Sequence, residues 1–183
     1  MNRTVRSAIR RTTVGLVVAA GLLPAAAAAA SSDTGNGAHV FRGELRDLQS
    51  ATTEALEGAT ARLTMANHHG SSTFVLNVKG IDLSAVGHEY GAHLHVGPCV
   101  AASGAAAGAH YNTDVLAGVT SPKIDKTTEV WLDFTVTAGG TGHAVAHVPF
   151  VPAPAARSVV IHRDATNELG GAGPRLACLP VVW

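Results

Sequence analysis

His93 and His95 are the residues of this sequence whose type and spacing point most directly to chemistry. They flank Leu94 within the segment Gly-Ala-His-Leu-His-Val, and residues two apart on a β-strand project to the same face. Two imidazoles on one face can bind one metal ion. Taken alone, such a pair more often consists of ordinary partly buried histidines without a metal, so the assignment depends on further ligands.

The segments that must position these histidines follow an all-β pattern. Short runs rich in β-branched residues are separated by Gly, Pro, Asn or Asp, which is typical of strands joined by turns. Leu132 and Phe134 alternate with Trp131 and Asp133, as in a strand with one buried face. The pattern predicts eight strands, near residues 38–48, 57–68, 72–79, 90–96, 129–136, 142–149, 157–163 and 175–182. Eight short strands suit a closed barrel or a sandwich.

Two connections between the predicted strands, 97–128 and 163–174, are long. Long loops inside one domain are usually functional or disordered. The first contains Cys99 and His110, and the second leads from His162 to Arg175. We therefore expect the functional residues to gather where these two loops meet.

Residues 1–30 resemble a cleaved export signal. Four arginines precede an apolar stretch from residue 14 to residue 30 that ends in an alanine run. A membrane anchor is the alternative, but the strongly apolar part is shorter than the about 20 residues that span a bilayer and lacks a basic stop-transfer flank. We expect a flexible start at 31–37, one domain at 38–183, and a secreted protein without stable membrane insertion.

The charge balance excludes some classes of partner. Without residues 1–30 the chain has 9 basic and 13 acidic side chains, so it is mildly acidic. Nucleic-acid and membrane-surface partners usually need a basic face, and neither is expected.

Cys99 and Cys178 are the two cysteines of the chain. In an exported protein a disulfide is the expected state, with two unpaired thiols as the alternative. The bond would close a loop of about 80 residues, for which the chain-entropy relation gives roughly 4 to 5 kcal/mol.

Four motifs together resemble the Cu/Zn superoxide dismutase family. The segments Gly91–Cys99 and Gly108–Asn112 resemble its copper-binding stretch, with two histidines, a cysteine and a third histidine in that order. Val159–Arg163 resembles the strand that carries the fourth copper histidine. Gly171–Cys178 resembles the closing motif, with the active-site arginine and the second half-cystine. The resemblance covers about 38–183 in strand pattern, and its specific motifs lie within 91–112 and 157–178.

The resemblance implies a fold, a metal and an activity. The fold is an eight-stranded antiparallel Greek-key β-barrel or sandwich. The copper ligands would be His93, His95, His110 and His162, a set that suits Cu(II). Arg175 and His110 would be the catalytic residues, with the Arg175 guanidinium attracting the superoxide anion. The implied enzyme converts superoxide to oxygen and hydrogen peroxide. A non-catalytic copper-binding or storage module on the same fold is the alternative.

The sequence departs from the family where zinc would bind. No histidine lies between His110 and His143, and Asp114 and Asp125 with His110 fall short of the four ligands that zinc needs. The resemblance is therefore to the copper-only branch, and zinc is not expected.

Two further expectations follow from the shortened and altered loops. The stretch between His162 and Arg175 is shorter than in typical members, so we expect a copper more open to solvent. Without zinc, the second nitrogen of His110 needs another partner, as metal-bound histidines usually have one. The candidates are Asp164, Glu168 and Asp114.

Overall fold

The computed structural model describes residues 37–49 and 55–183. The predicted export signal at 1–30 lies outside the described residues, as does most of the predicted flexible start at 31–37. The described residues belong to a single compact unit. Within them, no helix is long and apolar enough to cross a membrane.

The described part of the chain contains ten strands, and all their pairings are antiparallel. They are β1 (Gly37–Glu44), β2 (Arg46–Asp47), β3 (Thr60–His68), β4 (Ser71–Lys79), β5 (Glu89–Tyr90), β6 (Ala92–His95), β7 (Phe134–Thr135), β8 (Thr141–Val148), β9 (Ala156–His162) and β10 (Arg175–Val182). The helical elements described are one α-helical turn, α1 (Thr113–Leu116), and two 3-10 turns, Leu83–Ala85 and Gly104–Ala107.

The strands form two four-stranded sheets and one short pair. The first sheet has the order β1-β3-β4-β8, the second has the order β2-β10-β9-β6, and β5 pairs with β7. This arrangement confirms the all-β prediction. Buried residues on alternate positions of both sheets form one apolar core between them, which includes Leu63, Phe74, Leu94 and Leu179. Each such side chain contributes roughly 1.5 to 3 kcal/mol when fully buried.

Three predicted strands differ from the observed ones. The predicted strand 90–96 is divided at Gly91 into β5 and β6, which pair with different strands. The predicted strand 38–48 is divided at Leu45, which leaves the pairing and buries its side chain in the core. The predicted strand 129–136 is reduced to β7. Residues before β7 still lie beside β6, but through single bridges such as His93 with Trp131 rather than a continuous ladder.

The disulfide predicted from the sequence is present. Cys99 and Cys178 are bonded, with their Cα atoms 5.7 Å apart. The bond ties the loop after β6 to the middle of β10, and both sulfurs lie in a small buried cluster with Leu48, Ala107 and Val160. The loop is thereby held against the face of the second sheet that points away from the main core.

Candidate metal centre

Strand alternation turns two histidines of β6 away from the core. Ala92 and Leu94 belong to the core, so His93 and His95 point to the opposite face of the second sheet, under the loop after β6. Both histidines are fully buried there. The loop folds back closely on itself here: Gly97, near its start, lies against the Ala106 carbonyl oxygen, and a Cβ at this glycine would clash with it.

The other two predicted ligands come from neighbouring segments. His162 ends β9, where Ile161 faces the core and turns the next side chain toward the loops. His110 is held beside β6 by a bridge to His95 and by the amide of Tyr111, which donates to the carbonyl of Leu94. The structure thus brings together all four predicted ligands.

The four side chains converge closely enough to share one ion. One ligand atom from each of His93, His95, His110 and His162 lies within 4.8 Å of the other three. Imidazole nitrogens suit copper and zinc, whereas calcium and magnesium prefer oxygen ligands. The geometry therefore fits a transition metal held by four nitrogens.

Backbone carbonyls fix the orientation of two of these rings. His95 Nδ1 lies 3.1 Å from the Gly108 carbonyl oxygen, and His162 Nδ1 lies 3.1 Å from that of Gly173. A carbonyl only accepts, so each Nδ1 carries the hydrogen and each Nε2 presents a lone pair. The two Nε2 atoms face each other at 3.3 Å, an arrangement that a cation between them stabilises.

His93 is oriented by a side-chain relay that leaves the opposite ring nitrogen available to a metal ion. The Thr166 hydroxyl donates to Asp133 Oδ1 at 2.8 Å, so at 2.8 Å it accepts from His93 Nε2. The lone pair of His93 is therefore on Nδ1. Among the described side chains, this is the buried polar atom that has no hydrogen-bond partner. A buried acceptor left unmatched is costly, and a metal ion at the centre of the cluster would satisfy it.

Burial keeps the imidazoles neutral and ready to bind. It lowers the pKa of His93 and of His95 to about 2, with the nearby His110 charge as the next cause. Burial also lowers the pKa of His162, although its bond to Gly173 opposes the shift. Neutral imidazole is the form that coordinates metals, so protons compete weakly for these ligands.

Glu129 is the partner of His110, and none of the three acids proposed from the sequence takes that role. Its Oε2 accepts from His110 Nδ1 at 3.0 Å. Asp164 instead pairs with the neighbouring Arg163, and Asp114 accepts from a backbone amide of its own loop.

The Glu129 carboxylate is buried, and both of its oxygens accept hydrogen bonds. It also accepts from Asn112 Nδ2 and from Trp131 Nε1, each at 2.9 Å. Burial raises its pKa, but the bonds from His110, Asn112 and Trp131 outweigh this, and the pKa lies below its ordinary value. Glu129 is therefore an anion at neutral pH and accepts the Nδ1 hydrogen of His110, which leaves Nε2 as the nitrogen available to a metal ion.

A signal for Glu129 was present in the sequence. Trp131 and Asp133 were expected on the polar face of the strand 129–136, and one further step of two residues reaches Glu129. The pattern could not indicate that this face lies against the histidines, because that depends on which strands are neighbours.

Arg175 lies beside the cluster at the start of β10. A register shift between Arg175 and Ala177 interrupts the ladder and redirects the first side chain. Its guanidinium donates to the carbonyls of Gly104 and Gly108, and the second of these also accepts from His95. Its positive charge contributes to the lowered pKa of His95 and His162, so its field reaches the ligands.

Solvent reaches the cluster on the side of His110. The side chain of His110 is 18 % exposed, whereas His93, His95 and His162 are 0 %, 0 % and 4 % exposed. Among the four histidines, His110 is therefore the one most accessible to solvent.

Two comparisons with solved structures concern the fold. The structure of the clock protein EA4 is similar, with 16 % sequence identity and a TM-score of 0.54. The match covers 79 % of this chain and 92 % of the EA4 chain. A double mutant of a SOD-like protein from Bacillus subtilis is also similar, with 17 % sequence identity and a TM-score of 0.52. This match covers 78 % of this chain and 97 % of the Bacillus subtilis chain. The fold is SOD-like. No protein-family model matches the chain, and no curated protein matches it.

The Glu129 interaction predicts a measurable effect on metal affinity. In Glu129→Gln, an NH2 group replaces one of the two carboxylate oxygens. Because these oxygens accept from His110, Asn112 and Trp131, at least one of the three donors loses its acceptor. We expect copper affinity to fall about 10- to 100-fold, as for other partners of metal-bound histidines. Competition with a chromophoric chelator measures this.

Glu168→Gln is the matched control, since Glu168 is exposed on the loop before β10. Its copper affinity should equal that of the unmodified protein. Equal affinity in the Glu129 variant would contradict the role of Glu129.

Proposed function

We propose that the chain is a secreted superoxide dismutase that uses a single copper ion and no zinc. The observation that carries the proposal is the convergence of four imidazoles, each with one ring nitrogen held by a hydrogen bond and the other available to a metal ion. Copper bound by His93, His95, His110 and His162 supplies one-electron chemistry between Cu(II) and Cu(I), which conversion of superoxide to oxygen and hydrogen peroxide requires.

Arg175 binds and orients the substrate in this proposal. Its guanidinium is always charged and has five N–H donors in a fixed plane. Two of its nitrogens donate to carbonyls of Gly104 and Gly108, which fixes the group beside the ligands and leaves further donors for a small anion. A fixed cation beside the ligands attracts superoxide from solution.

His110 controls the solvent side of the centre. Its Nδ1 hydrogen is held by Glu129 and its Nε2 would hold the copper ion, so neither nitrogen would exchange protons with solvent while the metal is bound. The reaction consumes protons, and His110 is the ligand with the most solvent contact. We infer that water beside His110 delivers these protons to the centre.

The contacts of the acids support a centre without zinc. A histidine that bridged two metals would need both nitrogens free, but His110 Nδ1 is bonded to Glu129. Asp114 accepts from the amide of Lys123, and Asp125 accepts from Thr127. Both acids are thus occupied with stabilising their own loop.

The disulfide supports the proposed location. Disulfides persist in oxidising compartments and are rare in the cytosol, which agrees with the export signal expected at residues 1–30. We propose that the protein acts outside the cytoplasm on superoxide, without a nucleic-acid partner.

Superoxide consumption tests the activity. The copper-loaded protein should accelerate superoxide loss well above the metal-free protein. In Arg175→Gln we expect copper content to stay constant and the rate to fall about tenfold or more, because the attracting charge is lost. The rate of the unmodified protein should also fall with added salt.

Arg163→Gln is the control for Arg175, since Arg163 is exposed and pairs with Asp164. Its rate should stay close to that of the unmodified protein. If copper binds tightly to the unmodified protein but superoxide loss is no faster than without it, the chain is a copper-binding or storage module instead.

A further inference from the structure

Three cations share the face of the first sheet that points away from the core. Arg42 on β1 lies directly opposite Arg62 on β3, and Lys79 on β4 lies opposite Thr60, two residues from Arg62. All three cations are exposed. Because residues that alternate with them, such as Leu63, are buried in the core, their side chains project outward.

These cations line an open groove of about 610 Å³. Glu44, Thr60 and Asn77 also line it, and Glu44 is the acid among the lining residues. The groove therefore has an excess of positive charge, although the chain after residue 30 has more acidic than basic side chains.

The charges in the groove are not balanced within the protein. Like charges directly opposite each other on neighbouring strands destabilise a sheet, which is the arrangement of Arg42 and Arg62. The ion pairs found among the described residues involve His93, His110 and Arg163, and none of the groove cations. An anionic ligand would relieve this repulsion.

The spacing of the charges points to the kind of anion. Neighbouring strands lie about 4.8 Å apart, so cations on three adjacent strands extend over roughly 10 Å. This spread suits repeated anionic groups along a chain better than one small ion. The two guanidinium groups match phosphate oxygens in a bidentate manner, and Lys79 adds a point charge.

We propose that this groove is a docking site for an extended inorganic polyphosphate chain. The histidine cluster lies beyond the core, on the outer side of the second sheet. A protein docked through the first sheet would therefore keep its metal centre open to solution. The inference does not depend on the activity of that centre.

Binding of inorganic polyphosphate to the full protein at several salt concentrations tests the proposal. With about three phosphate contacts, the logarithm of the binding constant should fall with the logarithm of salt with a slope near −2. The triple variant Arg42→Gln/Arg62→Gln/Lys79→Gln should lose at least about tenfold in affinity. The control Lys123→Gln/Lys126→Gln, in the loop over the histidines, should bind as the unmodified protein does.

Thermal unfolding provides a second readout that does not require a binding assay. Polyphosphate should raise the melting temperature of the unmodified protein but not that of the triple variant. Without polyphosphate, the triple variant should melt no earlier than the unmodified protein, because repulsion between Arg42 and Arg62 is removed.

Three results would overturn the proposal. The first is equal polyphosphate affinity in the triple variant, and the second is an equal loss in the control. The third is binding of anionic phospholipid vesicles or poly-glutamate through the three cations when polyphosphate does not bind.

Discussion

Replacing His95 with alanine is expected to abolish tight copper binding and the copper-dependent loss of superoxide. His95 is fully buried, and its Nε2 lies 3.3 Å from that of His162 in the centre of the cluster. Its loss removes a ligand directly, so the fall in affinity should exceed the about 10- to 100-fold expected when a partner of a ligand is lost. Copper titration against a competing chelator gives the affinity.

His143→Ala is the matched control for this substitution. His143 is an exposed histidine on β8, where its Nδ1 lies 3.0 Å from Asn77 Oδ1 on the outer face of the first sheet. The same chemical change there should leave copper stoichiometry, affinity and superoxide loss unchanged. Unaltered copper affinity in His95→Ala, with the fold retained by circular dichroism, would remove His95 from the centre.

Removing the disulfide is expected to destabilise the protein by about 4 to 5 kcal/mol. The bond joins residues 79 apart, and the chain-entropy relation gives this magnitude for a loop of that length. The double variant Cys99→Ala/Cys178→Ala avoids new polar groups in the buried cluster around the two sulfurs. Urea unfolding of the metal-free protein measures the change.

The same variant should also hold the Arg175 guanidinium, which we propose attracts superoxide, less firmly in place. The loop fixed by Cys99 provides the carbonyls of Gly104 and Gly108 that hold Arg175. Arg46 adds a bond from its Nη1 to the Cys99 carbonyl, at 2.9 Å.

The control for the stability measurement is the unmodified protein unfolded in the presence of a reductant, and it should resemble the variant. A loss below about 1 kcal/mol would mean that loop closure contributes little to stability.

Local spacing predicted that two of the four histidines of the candidate centre lie together. The same-face positions of His93 and His95 follow from strand periodicity alone. The family resemblance then indicated His110, His162, Arg175 and the two cysteines, because their order along the chain is specific. The structure brings these histidines together and forms the disulfide.

Contacts that depend on strand neighbours could not be predicted in the same way. Glu129 reaches His110 because the segment before β7 lies beside β6, and the sequence does not indicate that neighbour. The relay from His93 through Thr166 to Asp133 likewise joins two distant loops. Strand periodicity predicts which face a residue occupies, but not which strand lies next to it.

The same limit applies to the charged groove of the first sheet. The overall charge of the chain predicted no basic face. Arg42 and Arg62 are twenty residues apart in sequence, and only the register of β1 against β3 makes them direct neighbours. A chain that is acidic on average can therefore present a local cationic surface once its strands are aligned.

Metal analysis after loading with copper and zinc in competition tests the proposed centre most directly. The metal-free protein is incubated with equal amounts of both ions, separated from excess metal and analysed for metal content. We expect one copper per chain and no zinc, since the four imidazoles form a single site and His110 Nδ1 is held by Glu129. Stoichiometric zinc in the protein would contradict a copper-only centre.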